Sequence, residues 1–370
     1  MDAPRVKGAL ALVVGAGGVA AALGYLWTIA AGRLLPPGAY ADFSAAAAII
    51  YFAVTAFLPL MQSVAFFAVR GEEGLEWRLL TIVLVAGVVL AIAWRTWTAV
   101  AIVTTAAVNI RRGVQLGKQR FDAYAWNIAI ESVLRLALAV AFLLVHRSAP
   151  SAIASYVAST AMATLIAGST PHRGAIDLKP FAKYLAPMLA YTAIFAAFQN
   201  LDVLIARHFF APDDAGRYGA ASFLARGAGM LVMPFCAFAL PRLAAEPAEA
   251  WRRFVRICAA YVALAALAVA ILGGASGWIV RTLFGAPYAA AAPLLFPLGG
   301  AIALSGLVYL ACQLPVSRNR FRFLIPYAAG LVIDVVVLAL RHGSALQVAH
   351  AIVAANAVTL LLVLPFAARR

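Results

Sequence analysis

Apolar runs of about 20 residues follow one another along this chain from Gly8 to Phe366, separated by short segments that hold most of its Lys and Arg. At 1.5 Å of rise per residue, a helix of that length matches the ~30 Å hydrocarbon core of a bilayer. Composition points the same way: 65% of the 370 residues are apolar and 12% are charged, whereas soluble domains run to about half apolar and a quarter charged. A water-soluble fold could not hide so much apolar surface. The expected fold class is all-α, a polytopic transmembrane helical bundle.

Hydropathy and charge punctuation together place helices at about 8–31, 43–69, 79–94, 97–113, 123–145 and 151–169 in the first half. In the second half they fall at about 181–206, 216–241, 255–280, 289–312, 323–340 and 345–367. That makes about 12 helices in two six-helix halves, residues 1–170 and 181–370, joined by a cytoplasmic linker at 171–180. The third and fourth are separated only by Arg95, Thr96 and their Trp neighbours, so one re-entrant or broken span there is the alternative. A start at Arg5 and Lys7 followed by an apolar stretch could pass for a signal peptide. The stretch continues to Ala31 and many more follow, so it reads as the first helix.

The formal charge of +15 would suggest nucleic acid in a soluble protein, but here it follows topology. Segments assigned inside hold 20 Lys and Arg, among them Arg70, Arg78, Arg111, Arg112, Lys118, Arg252, Arg253, Arg256, Arg318, Arg320 and Arg322. Segments assigned outside hold seven, and the remaining two, Arg135 and Arg226, lie inside helices. This positive-inside bias puts both termini in the cytoplasm, the chain in the inner (cytoplasmic) membrane, and nucleic acid out of consideration. Trp77, Trp94, Trp97, Trp251 and Trp278 near helix ends fit an interfacial aromatic belt.

An internal repeat is visible. Arg33-Leu-Leu-Pro-Pro-Gly-Ala-Tyr-Ala-Asp-Phe43 recurs loosely as Arg207-His-Phe-Phe-Ala-Pro-Asp-Asp-Ala-Gly-Arg-Tyr218, and after one inserted residue an offset of 175 pairs Pro37 with Pro212, Phe43 with Tyr218 and Pro59 with Pro234. With six helices before the repeat, both halves share one orientation and are related by an axis along the membrane normal.

Two glycine clusters imitate nucleotide-binding turns. Val14-Gly15-Ala16-Gly17-Gly18-Val19-Ala20 lies mid-helix, without the strand and polar loop that a dinucleotide turn needs, and reads better as small residues allowing close helix approach. Gly113 to Gln119 has a Gly-x-x-x-Gly-Lys order without the spacing or the Ser/Thr of a phosphate loop. Cys236, Cys258 and Cys312 fall in or at the edge of apolar segments with no His partner set, so they read as packing residues. No cofactor and no metal site is expected.

Ionisable residues inside helices are more informative, because each costs about 2.5–3.5 kcal/mol at a helix centre unless it faces protein or water. Glu131 and Arg135 stand one turn apart on the fifth helix, either as an i,i+4 pair that makes the helix insertable or as part of a substrate site. Asp202 in the seventh helix could reach Arg226 in the eighth, as a structural pair or a pair lining a cavity. In a wet cavity, an arginine at 226 would bind a diphosphate by bidentate, charge-assisted hydrogen bonds. Asp334 is isolated in the eleventh helix, either neutral and hydrogen-bonded or a site of ion coupling. His350 and Asn356 do not share a face and read as packing or hydrogen-bonding residues. Pro59, Pro187, Pro234, Pro293, Pro297 and Pro326 introduce kinks within or at the ends of helices.

The chain resembles the multidrug/oligosaccharidyl-lipid/polysaccharide (MOP) exporter superfamily in its polysaccharide-flippase, Wzx-type branch. The resemblance is carried by Ala31 to Phe43, by Gln115-Leu-Gly-Lys-Gln-Arg-Phe121, and most densely by Asn200-Leu-Asp-Val-Leu-Ile-Ala-Arg207 through Ala215-Gly-Arg-Tyr-Gly-Ala-Ala221, Arg226 and Pro241. Leu283-Phe-Gly-Ala-Pro-Tyr288 and the basic loop Arg318 to Arg322 complete it. It implies two six-helix bundles around a central cavity, moving a polyprenyl-diphosphate-linked oligosaccharide from the cytoplasmic to the outer leaflet by alternating access. Arg226, Asp202, Arg135 and Glu131 are then the candidate substrate-binding residues and Asp334 the candidate coupling residue for H+ or Na+. Membrane lipids and the glycosyltransferases or polymerase of the same pathway are the expected partners. An enzyme such as a glycan polymerase would need catalytic residues on a sizeable external loop, and the expected outer loops are too short. An ion-coupled exporter of small cationic drugs, or a non-transporting scaffold of a glycan-assembly complex, remain the competing readings.

Overall fold

Proline and glycine decide where the long apolar runs of this chain bend. The computed structural model describes residues 3–69, 75–94, 96–168, 178–229, 250–318 and 320–368. The helices are α1 (Ala3–Leu34), α2 (Pro37–Ala56), α3 (Leu58–Ala68), α4 (Leu75–Trp94), α5 (Trp97–Gly117), α6 (Phe121–Val145) and α7 (Ala149–Ile166). They continue as α8 (Leu178–Phe209), α9 (Pro212–Gly229), α10 (Ala250–Gly274), α11 (Ser276–Leu283), α12 (Leu295–Ser317), α13 (Leu324–Leu340) and α14 (Ala345–Ala368). The expected second helix is split at Phe57, whose backbone leaves helical geometry just ahead of Pro59, a residue with no N–H to carry the ladder on. The expected ninth helix divides at Ala275, after Gly273 and Gly274. A 3-10 turn, Ala286–Leu294, leads into α12 from Gly285, whose φ of +99° is open to glycine at little cost. The second halves of the expected eighth helix and Pro234 lie outside the described residues, as do Cys236 and most of the expected 171–180 linker.

The fold is all-α, and eight stretches of described helix are long and apolar enough to cross a membrane. α4 and α5 are separate helices of 20 and 21 residues, roughly 30 Å each. They close on each other at Gly87, where a Cβ would lie 2.6 Å from the Val103 side chain. The single re-entrant span is therefore not what forms. Side chains of Trp77, Trp97, Trp251 and Trp278 are exposed near helix ends, as an interfacial belt requires.

The chain forms two compact units that do not coincide with the sequence halves. One comprises residues up to Leu35 with Ile49–Ala193, the other Pro36–Ala48 with Ile194–Arg370. Of the three changes of unit, one falls in the turn between α1 and α2 and the other two inside helices, α2 and α8.

In the first unit α6 packs on α1 and α7, and α5 packs on α3, α4 and α7. The close approach of α5 to α3 is made by Gly113 and Gly117, where a Cβ would sit 2.6 Å from the carbonyls of Met61 and Ala65. The Gly-x-x-x-Gly order that imitated a phosphate loop is thus a helix-packing motif. The glycines expected to do this, Gly15, Gly17 and Gly18, face open space.

In the second unit α12 is the centre, packed by α9, α10 and α14, with α13 on α14. Here the repeat becomes physical. Gly38 faces Asp213, with a Cβ at Gly38 reaching 3.0 Å from its Oδ1, and Gly219 seats against Ser44. Each is a residue opposite its own counterpart at the offset of 175, at two levels six residues apart. Such equal-register contact requires α2 and α9 to run side by side in one direction, with the axis relating the two segments between and along them. Gly216 rests against the Pro37 carbonyl, so close that a side chain would overlap it.

Candidate functional site

Two clusters of ionisable side chains are buried, one in each unit. In the first, α6 presents Asn127, Glu131 and Arg135 along one face by its i+4 spacing, and α5 meets them with Arg112. The Arg112 Nη2 donates to Glu131 Oε2 at 2.7 Å and its Nε to Asn127 Oδ1 at 2.9 Å. Arg135 approaches the other carboxylate oxygen at 3.5 Å and donates to Ser132 Oγ at 3.3 Å. Its guanidinium also lies over two rings, 5.3 Å from the centroid of Tyr156 and 5.9 Å from that of Trp27, where the ring quadrupole favours a cation. Those rings are fixed in turn: Trp27 Nε1 donates to Ser155 Oγ at 3.1 Å, and the hydroxyls of Tyr156 and Thr105 are 3.0 Å apart.

The expectation for this region was an i,i+4 Glu131–Arg135 pair, with Arg111 and Arg112 at the cytoplasmic end of a helix over 97–113. The structure carries that helix further and gives both arginines carboxylate partners. α5 continues to Gly117, Arg112 is buried, and Arg111 bonds at 2.9 Å to Glu76, itself 1% exposed. The result is one carboxylate between two guanidiniums, an excess of one positive charge with all three ionised.

The second cluster forms where α9 faces α8. Tyr218, Ser222 and Arg226 succeed one another at i+4 spacing, so they form one stripe, and Asp202 of α8 meets all three. Ser222 Oγ donates to Asp202 Oδ2 at 2.6 Å and Tyr218 Oη donates to the same oxygen at 3.2 Å. Arg226 Nη2 stands 3.6 Å from Oδ1, beyond a well-formed hydrogen bond. Consequently Asp202 Oδ1 and the Nε and Nη2 of Arg226 are buried without hydrogen-bond partners among the described residues. Asp334 of α13 is 1% exposed, its Oδ1 is likewise unpartnered, and it is near enough to Asp202 for the two charges to act on each other. Asp202 and Arg226 are thus one loosely paired set of opposite charges with a second buried carboxylate, Asp334, near Asp202.

Asp202 and Arg226 therefore come together as their spacing suggested. Tyr218 and Ser222 were missed, although their i+4 relation to Arg226 was visible. Asn356 donates to the Ala301 carbonyl at 3.2 Å and His350 is exposed, so they do not join the cluster. Around it, Gln199 donates to Ser305 Oγ at 2.7 Å and Phe198 stacks on Tyr327, tying α8 to α12 and α13.

No protein-family model and no curated protein matches this sequence. Solved structures do. A multidrug resistance MATE family transporter of the MOP superfamily, in an inward-facing conformation, superposes with a TM-score of 0.77 at 12% identity, over 92% of this chain and 93% of its own. The lipid II flippase MurJ, in an inward closed conformation, gives 0.73 at 12% identity over 96% of this chain and 87% of its own. A MOP superfamily transporter from Pyrococcus furiosus, reported with a binding pocket of reverse polarity, gives 0.61 at 13% over 98% and 95%. At these identities the likeness speaks for architecture, and it spans nearly the whole of both partners: the chain has the fold of the MOP superfamily transporters.

Proposed function

We propose that this protein is a membrane transporter that moves a lipid-linked oligosaccharide, on a polyprenyl diphosphate carrier, from the cytoplasmic to the outer leaflet of the inner membrane by alternating access, for polysaccharide export. The observation that carries the reading is Arg226: a guanidinium held in the interior of a transporter fold with Nε and Nη2 unpartnered and its nearest carboxylate at 3.6 Å. Donors left open in a fixed fork suit a diphosphate. The excess positive charge around Arg112, Glu131 and Arg135 favours an anionic cargo as well, and the likeness to a lipid II flippase supports the class. Asp334, with Asp202 nearby, is the residue we assign to coupling with H+ or Na+. The sugar-building enzymes of the same pathway are its natural partners.

A second reading is favoured by one observation. Two buried carboxylates near each other in the second unit, Asp202 and Asp334, suit a small cation, and a multidrug transporter is among the similar folds. The deciding experiment is mass spectrometry of polyprenyl-diphosphate glycans in a deletion strain, with leaflet accessibility probed by an impermeant glycosidase. One glycan should accumulate on the cytoplasmic side and be cleared by the wild-type gene but not by Arg226→Ala at equal protein level. If no lipid-linked glycan changes in amount or sidedness and the strain becomes sensitive to cationic dyes, the cation exporter takes its place.

A further inference from the structure

α10 and α12 run antiparallel and leave a groove between them. Near one end the Tyr261 hydroxyl donates to the Ala303 carbonyl at 2.8 Å. At the other, Gly273 takes the Phe296 ring so closely that a Cβ there would lie 2.7 Å from it. Between these levels is a space of about 380 Å³ lined by Val262, Ala266, Ala270, Phe296, Gly300 and Leu304 among others, with no charged side chain. Val262 and Phe296 are 46% and 59% exposed, so the groove is open along one side, and neither Asp202 nor Arg226 lines it.

Its two ends are unlike. α10 enters past Arg252, Arg253 and Arg256, and α12 leaves through Arg318, Arg320 and Arg322. Because the helices are antiparallel, all six arginines lie beyond the Tyr261 end, the nearest on α10 being the exposed Arg256 and Arg252, five and nine residues before Tyr261. From Arg256 to Arg318 the intervening chain carries one charged residue, Arg281, beyond the Phe296 end. An apolar trough that ends on a cationic shelf has the polarity of a lipid with an anionic headgroup. Basic residues at the membrane surface attract such headgroups, and arginine holds phosphate with two donors. The trough runs for nine residues of α10, roughly 14 Å, a length suited to part of an acyl chain and short beside a polyprenyl one.

We propose that the α10–α12 groove is a binding site for one acyl chain of an anionic glycerophospholipid, with its phosphate on the arginines at the Tyr261 end. The site is independent of what the protein transports.

Full-length protein, stripped of lipid in a non-ionic detergent, would be offered equimolar phosphatidylglycerol and phosphatidylcholine and read by native mass spectrometry. One phosphatidylglycerol should be retained in at least tenfold preference. Arg252→Gln with Arg256→Gln should weaken that retention about fivefold per arginine and leave phosphatidylcholine unchanged. Gly300→Phe should abolish it, since nothing lies within 4 Å of a Cβ at Gly300 and the ring can enter the trough. Leu361→Phe, at a position 68% exposed on α14, should behave as wild type. Should Gly300→Phe fail to give monodisperse protein, Ala266→Leu fills the same trough. Equal retention of the two lipids, or retention undiminished by a filled groove, overturns the proposal. So does displacement of phosphatidylglycerol by equimolar undecaprenyl phosphate, which would give the trough to a prenyl chain.

Discussion

The two units bury ionic clusters of different make-up. In the first, Glu131 is shared by Arg112 and Arg135, and their donors go to the carboxylate, to Asn127, to Ser132 and over the faces of Tyr156 and Trp27, with Arg135 Nε left without a hydrogen bond among the described residues. In the second, Arg226 stands 3.6 Å from Asp202, Asp334 lies near Asp202, and buried polar atoms of all three lack hydrogen-bond partners among the described residues. A satisfied cluster holds a structure in one arrangement, whereas an unsatisfied one retains capacity for a further ligand. The difference teaches that burial of charge alone does not mark a binding site in this molecule. What distinguishes the second cluster is how much capacity is unfilled: each carboxylate has an open oxygen there and Arg226 two open nitrogens, against Arg135 Nε in the first.

If that contrast is correct, the largest effect belongs to Glu131→Gln. It removes the one counter-charge between two guanidiniums and should cost about 3–5 kcal/mol, seen as a loss of folded protein in a thermal melt in detergent. A melt close to wild type would mean that the first cluster is not held by its carboxylate. Ser222→Ala comes next: it takes away the 2.6 Å bond to Asp202 and should cost about 1.5–3 kcal/mol, as for hydrogen bonds to charged groups. Arg226→Lys should change the melt by less than about 1 kcal/mol, because the 3.6 Å contact contributes little and charge is kept, yet it should abolish glycan export by losing the planar fork. Retained export with Lys would move anion binding to other residues. The smallest effect on stability is expected for Asp334→Asn, within about 1 kcal/mol, since the Oδ1 it alters makes no hydrogen bond. Its transport should nonetheless lose dependence on the ion gradient, measured in proteoliposomes with and without an imposed gradient.

Much of this was legible in the chain, for identifiable reasons. Helix positions were, because a bilayer imposes one length on every run and basic residues punctuate them. The same punctuation counted Arg111 and Arg112 as the basic end of a helix and did not show their carboxylate partners, because Glu76 and Glu131 lie far off in sequence. Glycine was ambiguous in the same way. Gly113 and Gly117 are seated on α3 while Gly15, Gly17 and Gly18 face nothing, and only the position of a neighbouring helix separates the cases. The Asp202–Arg226 meeting could be anticipated because adjacent helices joined by a short turn must lie together. The open valences of Arg226 could not, since they depend on tenths of an ångström.

The passage of α2 from one unit to the other has a consequence for how the chain can be cut. Severed in the 169–177 segment, the polypeptide would yield a C-terminal piece without Pro36–Ala48, its Gly216 and Gly219 stripped of the strip of helix that covers them. Neither piece is then a self-sufficient building block. Co-expressed, they should reassociate through that borrowed half-helix, so the sequence halves are not modules in assembly.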